Sequence, residues 1–334
     1  MRKVAAFFLF IVLISFSSCF KEDKPIVYVP LDGITNTAHT GSDYSMVAYF
    51  DLETNTFVGS NHRERWDLAF DNIASNDWNV LMNGGKKMRI LALNTEDISE
   101  STPTPSAASP DWLHDDYDKS PICGWDIRTQ SAKRSKVHIV DLGTDVSGFP
   151  LGYKKIRILP SAHDVYTFET ANLDGSNIQT FSTQKDPQYN FQFFSFENGG
   201  EWRLIEPLKN TFDFVFCQYT DKSYYAGSTT EFEWYSVNGT LFNHSAQIAC
   251  AIDSSGIDFE SVLIDQISNY TFSDKKNALG YAWKQFDFDE QIYKVKNWIY
   301  IIKDRKGDYY KLQFLSFVNP QGEKGYPTFR ISRL

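Results

Sequence analysis

Tyr49-Phe50-Asp51-Leu52, followed by Trp66-Asp67-Leu68-Ala69-Phe70, recurs about 145 positions later as Phe193-Phe194-Ser195-Phe196, followed by Phe212-Asp213-Phe214-Val215-Phe216. Each copy is a short aromatic run, a polar connection of similar length, then an aromatic-Asp-apolar-x-Phe run. The echo continues downstream. Val137-His138-Ile139-Val140, Tyr153 to Leu159 and Tyr166-Thr167-Phe168 correspond in order to Ile299-Tyr300-Ile301-Ile302, Tyr310 to Leu315 and Pro327-Thr328-Phe329. Four matched elements in one order imply an internal duplication. Aromatic residues make up 16% of the 334 residues and stand beside Val, Ile and Thr, while long Ala/Leu/Glu/Lys stretches are missing. That composition favours strands. The expectation is an all-β chain of two tandem antiparallel β units with few short helices, spanning 29–177 and 178–334, with the Asp174-Gly175 turn signal at the junction.

The N-terminus has a different character. Arg2 and Lys3 precede an apolar run from Val4 to Ile14, and Ser17-Ser18 stand before Cys19. Residues 1–18 thus have the layout of an export signal, with an apolar run too short to span a bilayer comfortably. Small residues directly before cysteine resemble a bacterial lipobox, in which Cys19 is acylated and begins the mature protein; an ordinary cleaved signal with an incidental cysteine is the alternative. Phe20-Lys21-Glu22-Asp23 resembles the tag that sends lipoproteins to the cell surface in Bacteroidota, and 19–28 reads as a tether. Without Arg2 and Lys3 the net charge moves from −9 to −11. So acidic a body argues against nucleic acid and against an anionic membrane face as partners. Beyond Cys19 there are Cys123, Cys217 and Cys250, an odd number that leaves at least one free thiol. A Cys217–Cys250 bond is the pairing that stays within one unit, and plain buried thiols are the alternative.

Residues 95–121, with Ser101-Thr102-Pro103-Thr104-Pro105-Ser106 at their centre, read as a long exposed loop. In Lys311-Leu312-Gln313-Phe314-Leu315-Ser316-Phe317, alternation puts Leu312, Phe314 and Ser316 on one face, with Lys311, Gln313, Leu315 and Phe317 on the other. Phe259 to Ile267 is a short helical candidate.

Taken together, Tyr49 to Thr56 with Arg65 to Phe70, then Asn83-Gly84-Gly85, Lys275 to Gly280, Tyr293-Lys294-Val295, Tyr310 to Phe314 and Gly322 to Phe329 resemble the HmuY-like haem-binding lipoproteins of Bacteroidota. The resemblance covers most of the chain after the tether. It implies an all-β, hand-shaped protein in which loops at one end grip a ligand, exposed on the outer membrane and working beside a TonB-dependent receptor. In the founding type two histidines hold the haem iron. Here the corresponding neighbourhoods, near Phe259 and Phe286, contain no histidine.

Haem needs a hydrophobic slot and axial ligands from His, Met, Tyr or Cys. Met82 and Met88 flank Asn83-Gly84-Gly85, a ligand-side loop in the family, so they are candidate haem ligands; the plainer reading makes them gap-fillers of a core. His138, alternating with Val137 and Ile139, and His163, in a turn, are the other candidates. Asp111, His114, Asp115, Asp116 and Asp118 could together hold a divalent cation, though a solvated acidic loop has the same composition. Asp287-Phe288-Asp289-Glu290 reads as the wet face of a strand, lacking the rhythm of a calcium loop. The Gly84-Gly85-Lys86-Lys87 run lacks phosphate-loop spacing, and no Gly-x-Ser-x-Gly, His-Glu-x-x-His or Cys-x-x-Cys occurs. The expectation is therefore a non-enzymatic, surface-exposed outer-membrane lipoprotein that captures a ligand, haem being the one the family suggests. A non-haem accessory subunit of a receptor complex is the alternative, and a glycan-binding module using Trp78, Trp112, Trp202 or Trp234 a third.

Overall fold

The protein is described here by a computed structural model covering residues 34–72, 79–115, 136–161 and 164–334. The signal segment, Cys19, the tether, Trp78, Cys123 and His163 lie outside the described residues. Short β-branched and aromatic runs between Gly, Asn and Asp turns give twenty described strands. The first nine are β1 (Ile34–Thr37), β2 (Met46–Asp51), β3 (Thr56–His62), β4 (Leu68–Asp71), β5 (Val80–Met82), β6 (Arg89–Ala92), β7 (His138–Asp141), β8 (Tyr153–Leu159) and β9 (Val165–Ala171). There follow β10 (Gln179–Gln184), β11 (Phe191–Ser195), β12 (Glu201–Arg203), β13 (Phe214–Tyr224), β14 (Phe232–Phe242) and β15 (Ala249–Asp253). The last are β16 (Lys284–Asp287), β17 (Ile292–Val295), β18 (Ile299–Lys303), β19 (Tyr309–Val318) and β20 (Lys324–Arg333). The helical candidate at Phe259–Ile267 forms two 3-10 turns, Phe259–Ser261 and Ile264–Asn269.

Four antiparallel sheets stack as layers, with β16–β17 as a separate hairpin. The first outer sheet runs β1-β20-β19-β18-β15 and the first inner sheet β14-β13-β2-β3; the second inner sheet runs β12-β11-β4-β5 and the second outer sheet β10-β9-β8-β7-β6. The sheets do not divide at 177/178. The Asp174-Gly175 turn joins β9 to β10 inside the second outer sheet, β4 pairs with β11, β2 with β13, and β1 with β20. Each inner sheet is thus half from residues before 178 and half from residues after it.

The matched sequence runs occupy matched places. Asp67 N donates to Phe194 O and Asp213 N to Phe50 O, both at 2.8 Å. The Asp67 carboxylate accepts from Phe196 N, and that of Asp213 from Leu52 N. Asn83 Nδ2 donates to the carbonyls of Arg63 and Trp66, as Asn243 Nδ2 does to those of Lys209 and Phe212. A cation closes each set: the buried Lys86 on Asp67, the half-buried Arg305 on Asp213.

Alternation along the inner strands builds three cores. Ala48, Phe50, Phe214 and Phe216 meet Leu312, Phe314 and Phe329 of the first outer sheet, with Phe50 stacked on Phe214 at 5.1 Å. Leu68, Phe70, Met82 and Phe194 meet Ile156, Ile158, Tyr166 and Phe168 of the second outer sheet. Between the inner sheets, Val47, Tyr49 and Val215 oppose Ala69, Leu81 and Phe193. A fully buried phenylalanine contributes about 1.5–3 kcal/mol, against about 0–1 kcal/mol for an exposed ion pair, so the ring cores set the stability.

Two expectations need correction. In β19, register shifts between Phe314 and Ser316 and between Ser316 and Val318 break the alternation, so Phe317 joins Phe314 in one core instead of facing away. The segment 95–121 is not uniformly exposed. Ile98 and Trp112 are buried, and Ile98 packs on Val137 and Ala171 over the outer face of the second outer sheet. The fully buried Lys155 fastens this cover by donating to the carbonyls of Ile98 and Glu100. Lys311 does the same on the opposite outer sheet, donating to the carbonyls of Phe259 and Val262.

Candidate functional site

A cleft of about 170 Å³ runs between the two inner sheets. Its middle is apolar because both sheets turn their second face inward there. Two aromatic pairs frame it, and they are sequence counterparts: Tyr49 meets Phe212 edge-on at 5.1 Å, and Phe193 meets Trp66 edge-on at 5.1 Å. Cys217 faces this space from β13, its thiol pushed up to about 12 by burial alone.

Polar groups close both ends. At one end Asn83 caps the 3-10 turn Gly84–Lys86, which lies against β13. A Cβ on Gly84 would stand 2.9 Å from Thr220 N, and one on Gly85 2.9 Å from Gln218 O. The glycine pair is therefore required by close backbone packing, not by a phosphate. Arg63 donates to Gly85 O and Gln218 Oε1 beside it. At the other end Glu206 is buried and accepts from Asn190 N, Asn190 Nδ2 and Phe191 N. Burial pushes its carboxyl up to about 7, with Asp71 adding to the rise against those hydrogen bonds. His244 Nε2 lies 3.1 Å from Asp71 Oδ2, and Lys276 Nζ donates to the carbonyls of Asn243 and Ala246.

The sequence candidates distribute unevenly around this cleft. Met82 and Met88 both line it, yet they are 3% and 1% exposed and pack into the core of the second outer sheet. His138 sits mid-sheet in β7, away from the cleft, and burial lowers its pKa. His114 stacks on Trp234 at 5.0 Å, with its pKa lowered to about 4 by burial and by Arg89. Asp115 instead accepts from Met82 N, and among the described residues no group of three or more His, Cys, Asp or Glu side chains is placed to hold a metal ion. Phe259, where the family pattern has a histidine, is buried beneath the Arg330 guanidinium at 4.0 Å; Phe286 packs on Phe288 and Tyr293 in the β16–β17 hairpin.

Among the described residues, the candidate tryptophans Trp112, Trp202 and Trp234 do not form an open platform. Trp112 is buried under Arg89, Trp202 is half-buried against Phe70, Phe168 and Phe194, and Trp234 lies between His114 and Lys222. Cys217 and Cys250 are both free, as their side chains sit in different layers: Cys217 on the cleft, Cys250 in the core of the first outer sheet. Sequence reasoning missed Glu206, which folds back on Asn190 and Phe191 just ahead of it, and the cleft role of Cys217 and the His244–Asp71 pair, which arise where segments from the two halves meet.

Among solved structures, the chain is similar to apo PinO from Porphyromonas gingivitis, at 10% identity over 91% of this chain and 98% of that one, with a TM-score of 0.27. It is also similar to an apo HmuY analog, TFO, from Tannerella forsythia, at 13% identity over 54% of this chain and 95% of that one, with a TM-score of 0.23. At such scores neither likeness bears on function. No curated protein matches the chain. The sequence model for HmuY protein, however, matches residues 43–331, which takes in every described strand except β1 and the last two residues of β20. The chain belongs to the HmuY protein family.

Proposed function

We propose that this chain is a non-catalytic ligand-capture lipoprotein, anchored through Cys19 on the outer-membrane surface and working beside a TonB-dependent receptor. Family membership over 43–331 carries this reading. The export-signal layout of 1–18 and the Ser17-Ser18-Cys19 junction support the anchor. The two-unit organisation, 29–177 and 178–334, belongs to the same proposal and draws on the matched hydrogen bonds around Asp67 and Asp213.

Haem is the ligand the family suggests. The described residues do not offer it a ready site: clefts that hold drug-sized ligands run to roughly 300–1,000 Å³, and this one is about 170 Å³. Met82 and Met88 approach it from a packed core, and His138 does not reach it. Haemin titration of the purified chain, oxidised and reduced, tests the point. Haem binding predicts a saturable Soret shift that weakens on Met82→Leu, Met88→Leu, His138→Ala or His163→Ala. An absent shift in both redox states rejects haem.

The second reading, an accessory subunit that keeps the framework and has no haem site, is favoured by the phenylalanines at 259 and 286. It predicts that the chain, solubilised gently from membranes, co-purifies with a stoichiometric envelope partner; recovery of the chain alone counts against it.

A further inference from the structure

A buried arginine stands at one end of the cleft with part of its hydrogen-bonding edge unmet. Arg63 opens the 3-10 turn Arg63–Arg65 that follows β3, is 6% exposed and lines the cleft. Its Nη1 donates to Gly85 O and Gln218 Oε1, which fastens the Gly84–Lys86 turn to β13, while its Nε–H is buried without an acceptor. Among the described residues no carboxylate forms an ion pair with it. The acids whose field it feels, Glu64, Asp43 and Asp145, accept instead from the backbone N–H groups of Val146, Ser45 and Phe149.

The two ends of the cleft meet burial differently. Glu206 can lose its charge by taking a proton near neutral pH. A guanidinium cannot follow suit, because it stays protonated under all conditions in which a protein is folded. A desolvated cation without a counter-charge is costly. Lys276, another cation on the cleft wall, already donates to two carbonyls. What the cleft lacks is an anion at Arg63.

Between the ends the wall is apolar, formed by Val47, Ala69, Leu81 and Val215 and framed by the Tyr49–Phe212 and Trp66–Phe193 ring pairs. An apolar cavity of about 150 Å³ takes a benzene-sized guest, so a body of about six carbons suits this size range. The cleft, at about 170 Å³, is too small for a macrocycle or a long acyl chain.

We propose that the cleft binds a short aliphatic carboxylate, with the carboxylate along the Nε–Nη2 edge of Arg63 and the chain between the two inner sheets. A guanidinium edge takes the two carboxylate oxygens in parallel hydrogen bonds. This ligand class rests on reading the chain as a ligand-capture protein and is independent of haem.

The test is isothermal titration of the full chain with hexanoate, 1-hexanol and acetate. Hexanoate is expected to saturate a single site. The alcohol, which lacks the charge, and acetate, which lacks the chain, are each expected to bind at least about tenfold more weakly. Arg63→Gln is expected to weaken hexanoate by a similar factor and leave 1-hexanol unchanged. Val215→Phe, which fills the space between the sheets, weakens both. Equal affinity of hexanoate and either other probe overturns the proposal, as does hexanoate binding that survives Arg63→Gln undiminished or the absence of saturable hexanoate binding. If Arg63→Gln fails to fold because the Gly84–Lys86 turn comes loose, the three probes on the wild type still decide. Haemin titration reads a separate result: its failure leaves hexanoate to be judged on these probes, and absent hexanoate binding leaves the haem, anchor and receptor readings intact.

Discussion

Glu206 shows how one residue makes an otherwise apolar interior sensitive to pH. Its carboxyl is raised from the usual 4.5 to about 7 by burial, so the folded state holds a proton that the unfolded chain releases earlier. Between those values the native protein binds more protons than the unfolded one, and stability therefore falls as pH rises from about 4.5 to about 7, then levels off. The slope is worth up to about 3 kcal/mol at 1.36 kcal/mol per unit. Urea unfolding of Glu206→Gln against wild type checks it: the variant gains on the wild type between pH 5 and pH 8, and an unchanged difference refutes the assignment. None of this was legible in Ile205-Glu206-Pro207, where a glutamate before proline reads as a surface turn. By contrast Asp67 and Asp213 stood out in the sequence, since each sits inside a repeated aromatic run where a carboxylate needs a structural reason. The structure supplies it in a backbone N–H from the other half and a paired cation.

At the scale of elements, strand alternation was readable and strand partnership was not. The Phe214-Val215-Phe216 run told which residues share a face, yet not that its neighbour would be β2 from the other end of the sequence. The outer sheets likewise looked half-wet in sequence. Lys155 and Lys311 are what cover them: each threads an ammonium through the sheet's outer face to hold two carbonyls of a loop. Replacing either with Met leaves buried carbonyls unpaired, at a cost of about 1–3 kcal/mol per group. Lys155→Met is expected to raise amide hydrogen exchange in residues 96–102, and Lys311→Met in 257–270, with each effect confined to its own side. Exchange rising equally on both sides would show that the covers are not independently fastened.

For the whole molecule, the stacking order couples the halves more tightly than two beads on a string. Both inner sheets draw strands from before and after residue 178, so 29–177 expressed alone lacks β11 beside β4 and β13 beside β2. Neither half is expected to unfold cooperatively by itself, while co-expressed halves should form a one-to-one complex that melts as one. A separate, cooperative melt of 29–177 would refute this coupling. The pairing of β1 with β20, which sets Ile34 opposite Ile331, also orders events in time. A chain emerging N-terminus first must keep β1, and one edge each of β2 and β4, waiting while β20, β13 and β11 are still unmade. Sheet closure across such separations is slow, and waiting strand edges invite aggregation. For β1 the unpaired interval ends only when the last strand arrives.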